Sequence, residues 1–328
     1  MGYVHCAYHG RIESEKVMKK SENMTLPEPP QIIFLLGIRH RSGTNIVQEV
    51  IARHPQCTSH SEPEDFLISG LDYLTKYIDH IKNRRKSKRS KNDFSTDLRI
   101  GLRSALQRHI ADMEFEYQTP EDSSQTIITK SPSVEGLLHF RTFFPDSHLI
   151  LLVRDGRSVI ESAMRSFGAD FVKSCKRYQQ AADTILEFIR SDENPDRTLL
   201  IRYEDFLSEP EEFIHSILTF LELDPAIYPF EELGDLPVIG SSDLTSDGRA
   251  EIHWNPISKH SSFDPSNRFQ DWTDYQKEQF DWIAGQELEN LGYSRHVINL
   301  SFAKTISYHL RSIDIHAVLK RFAKLIRT

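Results

Sequence analysis

FPDSHLILLVRDGRSVIESAMRS, residues 144–166, joins a continuous apolar run, His148 to Val153, to a charged turn and a helical pattern. A short apolar run without alternation is typical of a strand that is buried on both faces of a parallel sheet. The turn reads Arg154-Asp155-Gly156-Arg157, and the apolar residues from Ser158 to Ser166 recur at helical spacing. Strand, turn and helix in this order predict one half of a βαβ unit.

The same order recurs elsewhere in the chain. QIIFLLGI (31–38) is a second apolar run, and the polar turn RHRSGTN (39–45) follows it. Strands that alternate with helices predict a parallel sheet covered on both faces. The fold class is therefore α/β, a P-loop-like three-layer sandwich with a central, mostly parallel sheet. The other predicted strands are 126–129 and 198–201, and the other predicted helices are 45–53, 134–144 and 211–221.

Length and composition limit the possible functions. The 328 residues suit one large α/β domain or at most two, and the net charge of −8 gives no general attraction to nucleic acid. Cys6, Cys57 and Cys175 are too scattered for a disulfide framework and predict a reducing compartment. We find no run of about 18 apolar residues and no apolar signal core at the start, so a cytoplasmic protein without a transmembrane segment is expected.

The chain divides into three predicted regions. Residues 1–30 are polar and proline-rich and predict a mobile lead-in, 31–295 form the main domain, and 296–328 form a helical extension. The extension is amphipathic and either docks on the domain or contacts a membrane surface or a partner. Residues 82–91 hold seven Lys or Arg. They predict a solvated loop or helix end, or alternatively a patch for an acceptor or a phosphate-rich partner.

The turn after the first strand has the features of an anion site. Backbone N–H groups at a helix N-terminus point at an anion, and Gly43 lets the backbone approach it closely. Ser42 and Thr44 add hydroxyl groups, and Arg41 adds a positive charge. The spacing from Gly37 nearly matches the Walker A pattern of nucleotide triphosphate enzymes.

The mismatch with Walker A is informative. Ser42 and Gly43 stand where that pattern has its second glycine and its lysine. A kinase or ATPase of this kind needs the lysine on the β- and γ-phosphates. The nucleotide is therefore expected to carry something other than a γ-phosphate.

Two motifs together resemble the sulfotransferases that use 3′-phosphoadenosine 5′-phosphosulfate (PAPS). Residues 41–45, Arg-Ser-Gly-Thr-Asn, are similar to the family's 5′-phosphosulfate loop, and the strand–RDGR–helix unit is similar to its 3′-phosphate site. The resemblance implies that Arg154 and Ser162 bind the 3′-phosphate. It covers about four-fifths of the chain, from Gln31 to Tyr293, and is nearest to the carbohydrate, tyrosylprotein and bacterial members.

Further residues take roles from the resemblance. PAPS would be the co-substrate, adenosine 3′,5′-bisphosphate the product, and no metal is required. Arg41 would stabilise charge on the bridging oxygen, and Lys130 would support the sulfate. Asn45 belongs to the phosphosulfate loop, and Tyr203 either touches the nucleotide or packs. Ser241 and Arg268 lie in a polar stretch, 240–272, that resembles the family's late nucleotide-covering loop.

The base that takes the acceptor proton lies in HPQCTSHSEPEDF (54–66) by this resemblance. Glu62 is the first choice, and Glu64 and His60 stay open. A glutamate base needs a pKa raised by burial, whereas imidazole suits neutral pH without a shift. His54 and His60 do not have the spacing of a metal site.

The resemblance implies an enzyme that moves a sulfuryl group in line to a hydroxyl. Its acceptor is unidentified, with carbohydrate or protein favoured and a small molecule open. The alternatives are a P-loop nucleotide kinase and a non-catalytic nucleotide-binding protein. The sequence does not indicate an oligomeric state.

Overall fold

The computed structural model describes residues 31–59, 66–84, 88–115, 126–235, 241–244, 250–253 and 268–295. For residues 88–93, 112–115, 234–235, 241–244 and 250–253 it describes the backbone alone. The predicted lead-in, 1–30, and the predicted C-terminal helix, 296–328, lie outside these residues. The division into three regions therefore stays a prediction.

Five strands form one sheet in the order β2-β3-β1-β4-β5, and each neighbouring pair is parallel. The expected central parallel sheet is confirmed. All residues of β3 and β4 are buried, as are all those of β1 after its first, because helices cover both faces. The strands are β1 Gln31–Gly37, β2 Cys57–Ser59, β3 Thr126–Ser131, β4 His148–Val153 and β5 Thr198–Arg202.

Helices connect the strands. Three of them match the predicted helices 45–53, 158–166 and 211–221, whereas those at 71–84, 88–115 and 171–191 were not predicted. Short 3-10 turns lie at Ile68–Gly70, Leu137–His139, Pro195–Arg197, Pro225–Ile227 and Phe230–Asp235. The α-helices are α1 Thr44–Ala52, α2 Leu71–Arg84, α3 Lys88–Phe115, α4 Phe140–Phe143, α5 Gly156–Phe167, α6 Phe171–Ser191, α7 Tyr203–Ser208, α8 Pro210–Phe220 and α9 Asp274–Asn290.

Two apolar cores lie on opposite faces of the sheet. Alternate residues of β1 separate between them: Phe34 and Leu36 belong to one core, and Ile33 and Leu35 to the other. The first core takes side chains from α2 to α6 and from α9. The second takes them from α1, α7 and α8. The three-layer α/β sandwich is thus confirmed.

Two segments differ from the sequence predictions. The pattern at 134–144 predicted one helix, but the chain forms a 3-10 turn and the single turn α4. Gly136 has φ 77°, and a Cβ there would collide with the carbonyl of Ile68, so a left-handed turn interrupts the helix. The stretch 240–272 was predicted as a loop, but Ser241–Leu244 (β6) and Ala250–His253 (β7) pair as an antiparallel hairpin.

The basic run at 82–91 spans the end of α2 and the start of α3. Along the described segments, every helix is too short or too polar to cross a membrane.

A buried arginine joins the amino ends of β4 and β5. Arg141 donates from Nε to Asp192 Oδ1 at 2.8 Å and from Nη2 to Thr198 Oγ1 at 2.6 Å. Its Nη1 donates to the carbonyl of Ser147, just before β4, at 2.8 Å. Burial opposes the charged form of Asp192, but the hydrogen bonds from Arg141, Thr198 and the Asn194 backbone outweigh it and lower the pKa of this carboxyl.

We predict that Arg141→Met lowers the free energy of unfolding by about 3 kcal/mol at neutral pH, because it leaves a buried carboxylate without its partner. Urea unfolding measures this change. Since the pKa of Asp192 is lowered in the folded state, its contribution is complete above the unfolded pKa of about 4 and is lost as pH falls through the folded value. The difference between wild type and variant should therefore shrink in acid.

The matched control is Arg190→Met, on exposed α6 surface, which should change stability by less than about 0.5 kcal/mol. Equal losses for the two variants, or a difference that grows in acid, would contradict the assigned role of Arg141.

Candidate active site

The turns that carry the predicted site residues lie at one edge of the sheet. Because all five strands are parallel, the segments after β1, β3, β4 and β5 leave from the same carboxyl edge. The helices after β1 and β4 cover opposite faces, since Val47 of α1 lies in one core and Ile160 of α5 in the other. Neighbouring strands with connections to opposite faces leave a crevice between them, where α/β proteins bind ligands.

The turn after β1 is held in an unusual backbone conformation. The Ser42 amide and hydroxyl both donate to the carbonyl of Arg39, at 3.2 and 2.7 Å. Arg41 has φ 76°, and Gly43, the N-cap of α1, has φ 99°. A positive φ at a residue with a side chain costs energy and is found where a site requires it. Ser42 is completely buried, so its hydroxyl closes the turn in this structure.

An aromatic ring packs directly on this turn. A Cβ at Gly43 would overlap the ring of Tyr203, the first residue of α7. A Cβ at Gly37 would overlap Ser42 Oγ and Thr44 Cγ2. Both glycines are therefore needed for close packing, and Gly43 also for its left-handed conformation. Of the two predicted roles of Tyr203, contact with the nucleotide or packing, this contact supports packing.

Arg154 ties the turn after β4 to the turn after β1. Its Nη1 donates to the carbonyl of Arg41 at 2.7 Å, and its guanidinium lies 4.6 Å from the centroid of the Tyr203 ring. The Tyr178 hydroxyl donates to the Arg154 carbonyl at 3.1 Å. Arg154 is 5% exposed and thus fixed from several sides.

The rest of the RDGR turn shapes the start of α5. The Asp155 carboxylate caps the helix by accepting from the Arg157 amide, and it pairs with the Arg157 guanidinium at 2.6 Å. Arg157 turns away from Arg154: it lies over the Phe269 ring at 4.4 Å and donates to the Ser294 carbonyl. Arg154 thus contacts the turn after β1, whereas Arg157 has a structural position.

Ser162 lies where two arginines meet. Its hydroxyl accepts from Arg41 Nε at 2.9 Å and from Arg268 Nη1 at 3.4 Å, and the residue is 1% exposed. Arg41 also lies 5.9 Å from the centroid of the Phe167 ring on the same helix. The structure therefore brings together Arg41, Arg154, Ser162 and Arg268, which the sequence separates by more than 220 residues.

These arginines form a strongly positive site. Burial, followed by the nearby Arg268 and Arg154, lowers the pKa of Arg41 to about 10. Arg41 still carries its proton at neutral pH, so like charges crowd in a partly buried space. An anion that accepts hydrogen bonds from several guanidinium groups relieves this repulsion, and Arg is well suited to phosphate and sulfate geometry.

Other predicted residues border this site. Lys130, 5% exposed, lies near the carboxyl end of β3 and is in register with Leu35 of β1. Its position on the strand places it on the sheet face that α1 covers. Thr44 and Asn45 form the first turn of α1, and Gln48 fixes this helix to β3 through a 3.1 Å bond to the Ile128 carbonyl.

Some of the predicted site residues lie outside the part of the chain that the structure describes in full. Glu62, Glu64 and His60, the candidate bases, are outside the described residues, and Ser241 is described by its backbone alone. His54 is buried, and its Nε2 lies 3.1 Å from the Asp224 carbonyl, which is a structural position. Among the side chains that are described, no three His, Cys, Asp or Glu are grouped to hold a metal ion.

One network at the site was missed by sequence reasoning. Glu204 accepts from the Asp155 amide at 3.0 Å and from the Tyr293 hydroxyl at 2.7 Å, and thereby links three distant segments. Burial, with the charge and hydrogen bond of Glu204, raises the pKa of Tyr293 far above its usual range. The local sequence signal for this network was Glu204, an acidic residue that follows Tyr203 at the end of β5.

We predict that Gly43→Ala lowers the free energy of unfolding by about 2 kcal/mol, because it adds both backbone strain and a clash with Tyr203. Gly43→Ala combined with Tyr203→Ala should show a favourable coupling of about 1 kcal/mol, since the double change removes the clash but not the strain. Chemical denaturation of the single and double variants measures this coupling.

Gly101→Ala is the control, because it lies inside α3 with open space around it. It should be neutral or stabilise the protein by up to about 1 kcal/mol. Additive losses at positions 43 and 203 would show that their contact is unimportant.

Comparison with known proteins identifies the family of this chain. A model of the sulfotransferase family matches residues 30–226, which is more than half of the chain. Nodulation protein NoeE of Sinorhizobium fredii is 26% identical over 221 residues, which cover 60% of this chain and 51% of that protein. Protein-tyrosine sulfotransferase 1 of Danio rerio is 22% identical over 248 residues, which cover 69% and 66%.

Among solved structures, the sulfotransferase domain from the curacin biosynthetic pathway is similar, with 20% identity and a TM-score of 0.47, over 81% of this chain and 99% of that chain. The matched region spans about half to two-thirds of the length of the two curated relatives. From the match over residues 30–226, the chain belongs to the sulfotransferase family.

Proposed function

We propose that this chain is an enzyme that transfers a sulfuryl group from PAPS to a hydroxyl of an acceptor. The observation that carries the proposal is that Arg41 and Arg268 both donate to the Ser162 hydroxyl, while Arg154 donates to the Arg41 carbonyl, at the crevice between the ends of β1 and β4. A donor with a phosphosulfate at one end and a phosphate at the other supplies the anionic groups that such a site favours.

The two motifs would bind opposite ends of one nucleotide. The turn from Arg41 to Asn45, at the N-terminus of α1, would take the 5′-phosphosulfate through backbone N–H groups and the positive helix end. Arg154 and Ser162 would take the 3′-phosphate. Tyr203 packs against the turn and would form a wall of the site. Ser241 and Arg268 would cover the nucleotide from the late segment.

A nucleotide kinase fits the site less well. The Walker lysine has no counterpart, because Gly43 occupies its position and packs against Tyr203. The Ser42 hydroxyl donates to the carbonyl of Arg39 and shapes the turn. Arg41 and Arg154 follow two different strands, which suits two separate anionic groups better than one triphosphate chain with its metal ion.

The transfer conserves atoms and charge. The acceptor oxygen attacks sulfur in line, the bond from sulfur to the bridging oxygen breaks, and adenosine 3′,5′-bisphosphate leaves. Arg41 would stabilise the charge that develops on the bridging oxygen, and Lys130 would stabilise the transferring sulfate oxygens. The acceptor proton passes to a base. Glu62 is the proposed base, with Glu64 and His60 as the other candidates.

The setting and the acceptor are also proposals. Cys57 and Cys175 are buried free thiols, which supports a reducing, cytoplasmic setting.

Carbohydrate and protein hydroxyls are the favoured acceptors, and one relative carries protein-tyrosine sulfotransferase as its name. A non-catalytic protein with the same nucleotide site is the second candidate, which a transfer assay distinguishes.

We predict that adenosine 3′,5′-bisphosphate binds at least about 100-fold more tightly than ATP. Arg154→Ala should weaken this binding about 10- to 100-fold, because a buried forked contact to phosphate is lost. Titration calorimetry measures both affinities. The control is Arg197→Ala, at the opposite end of the sheet. Equal affinity for the two nucleotides would refute the proposed function, and unchanged affinity in Arg154→Ala would refute the role of Arg154.

We predict that Arg41→Ala lowers kcat for sulfuryl transfer about 10²- to 10³-fold, because charge on the leaving oxygen loses its stabilising cation. The purified protein is incubated with labelled PAPS and an extract of the native cell. The amount of label transferred measures the reaction, and the labelled product identifies the acceptor. Arg53→Ala is the control, since Arg53 lies at the other end of α1 and pairs with Glu232. Transfer by Arg41→Ala at the rate of the control would exclude this mechanism.

A further inference from the structure

The outer face of α2 carries a stripe of aromatic and basic side chains, here called the α2 stripe: Tyr73, Lys76, Tyr77, His80 and Arg84. Their spacing of three, four, seven and eleven residues from the first places them on one side of the helix. All five are exposed, whereas Leu71 and Ile78 on the opposite side are buried in the first core. The stripe is therefore the part of α2 that the fold does not use.

The two tyrosines of the stripe are unusually accessible. Tyr73 is 74% exposed and Tyr77 is 53% exposed, and they lie one helical turn apart, about 6 Å along the axis. The Lys76 ammonium lies 5.6 Å from the centroid of the Tyr73 ring, so a cation and an aromatic face are presented together. Two exposed aromatic rings on successive turns, one of them beside a cation, can stack against a flat ligand that carries negative groups.

The charge of this region is opposite to that of the rest of the chain. Residues 71–115, which contain α2 and α3, include eleven Lys or Arg and six Asp or Glu, a net charge of +5. The remaining residues carry a net charge of −13. Where side chains are described, in 71–84 and 94–111, there are six Lys or Arg and three Asp, a net charge of +3. Net positive charge on these helices favours an anionic partner.

The stripe begins beside the candidate active site. The Phe66 ring, shortly before α2, lies 6.3 Å from the ring of His40 in the turn after β1. Asp72 of α2 lies 3.5 Å from His139, which follows β3. The start of α2 therefore lies close to the turn after β1 and to the segment after β3.

We propose that the acceptor is an anionic oligosaccharide that lies along the α2 stripe and reaches the transfer site past Phe66. This inference rests on the proposed function, because it names the substrate class of the same site. The stripe is about 16 Å long. Its exposed tyrosine rings offer flat faces to sugar rings. Lys76 and Arg84 would pair with the acidic groups of the oligosaccharide. Two tyrosines are too little apolar surface for a membrane-binding helix, which carries a continuous apolar face.

The test uses the complete chain and three defined probes at low ionic strength. The probes are a hexamer of galacturonic acid, the neutral sugar maltohexaose and the acidic peptide hexaglutamate. We expect the galacturonate hexamer to bind most tightly, with an affinity that falls as salt is added. Tyr73→Ser combined with Tyr77→Ser should weaken it about tenfold, and so should Lys76→Gln combined with Arg84→Gln.

Tyr275→Ser and Lys173→Gln are matched controls on exposed surface of α9 and α6, and they should leave binding unchanged. Binding of adenosine 3′,5′-bisphosphate is measured in every variant and should stay within about twofold, which also shows that each is folded. Equal binding of maltohexaose, tighter binding of hexaglutamate, or stripe variants that bind like the controls would overturn the inference. If the wild-type protein does not bind adenosine 3′,5′-bisphosphate, that result would instead refute the proposed function.

Discussion

The hydrogen bond from Arg154 Nη1 to the Arg41 carbonyl is the contact on which the site depends. It joins the turns that follow two adjacent parallel strands, and it holds Arg41 in a left-handed conformation that a residue with a side chain rarely adopts. Strain of about 1–3 kcal/mol persists only where the surroundings fix the backbone. Here the Tyr203 ring, the Arg154 guanidinium and the Ser42 hydrogen bonds to Arg39 together fix it.

The rigid sheet makes the crowding of positive charge possible. Arg41, Arg154 and Arg268 repel one another, and this repulsion adds to burial, the larger cause, in lowering the pKa of Arg41. The packing of both cores, which holds β1 and β4 in register, offsets this repulsion in the absence of an anion. A site whose donors are already in place needs little reorganisation when charge develops, which is how electrostatic stabilisation becomes effective.

The elements with strong local signals were predictable from sequence. The apolar run of β4 predicted its bounds, His148 to Val153, because a strand buried on both faces tolerates few polar residues. The contact between Gly43 and Tyr203 and the bond from Arg154 to the Arg41 backbone were not predictable, since they join residues 113 or more positions apart. The interruption of the predicted helix at Gly136 was not predictable for a similar reason. The carbonyl of Ile68, 68 positions away, packs so closely on Gly136 that a Cβ would not fit.

The segment after α9 shows why the site requires the chain as far as Ser294. The Tyr293 hydroxyl bonds Glu204, the Glu204 carboxylate accepts from the Asp155 amide, and Arg157 donates to the Ser294 carbonyl. Asp155 immediately follows Arg154, so Tyr293 and Ser294 support the turn that positions this arginine. The segment Leu291-Gly292-Tyr293 thus contributes to the candidate site, because it helps to fix the backbone from which Arg154 projects.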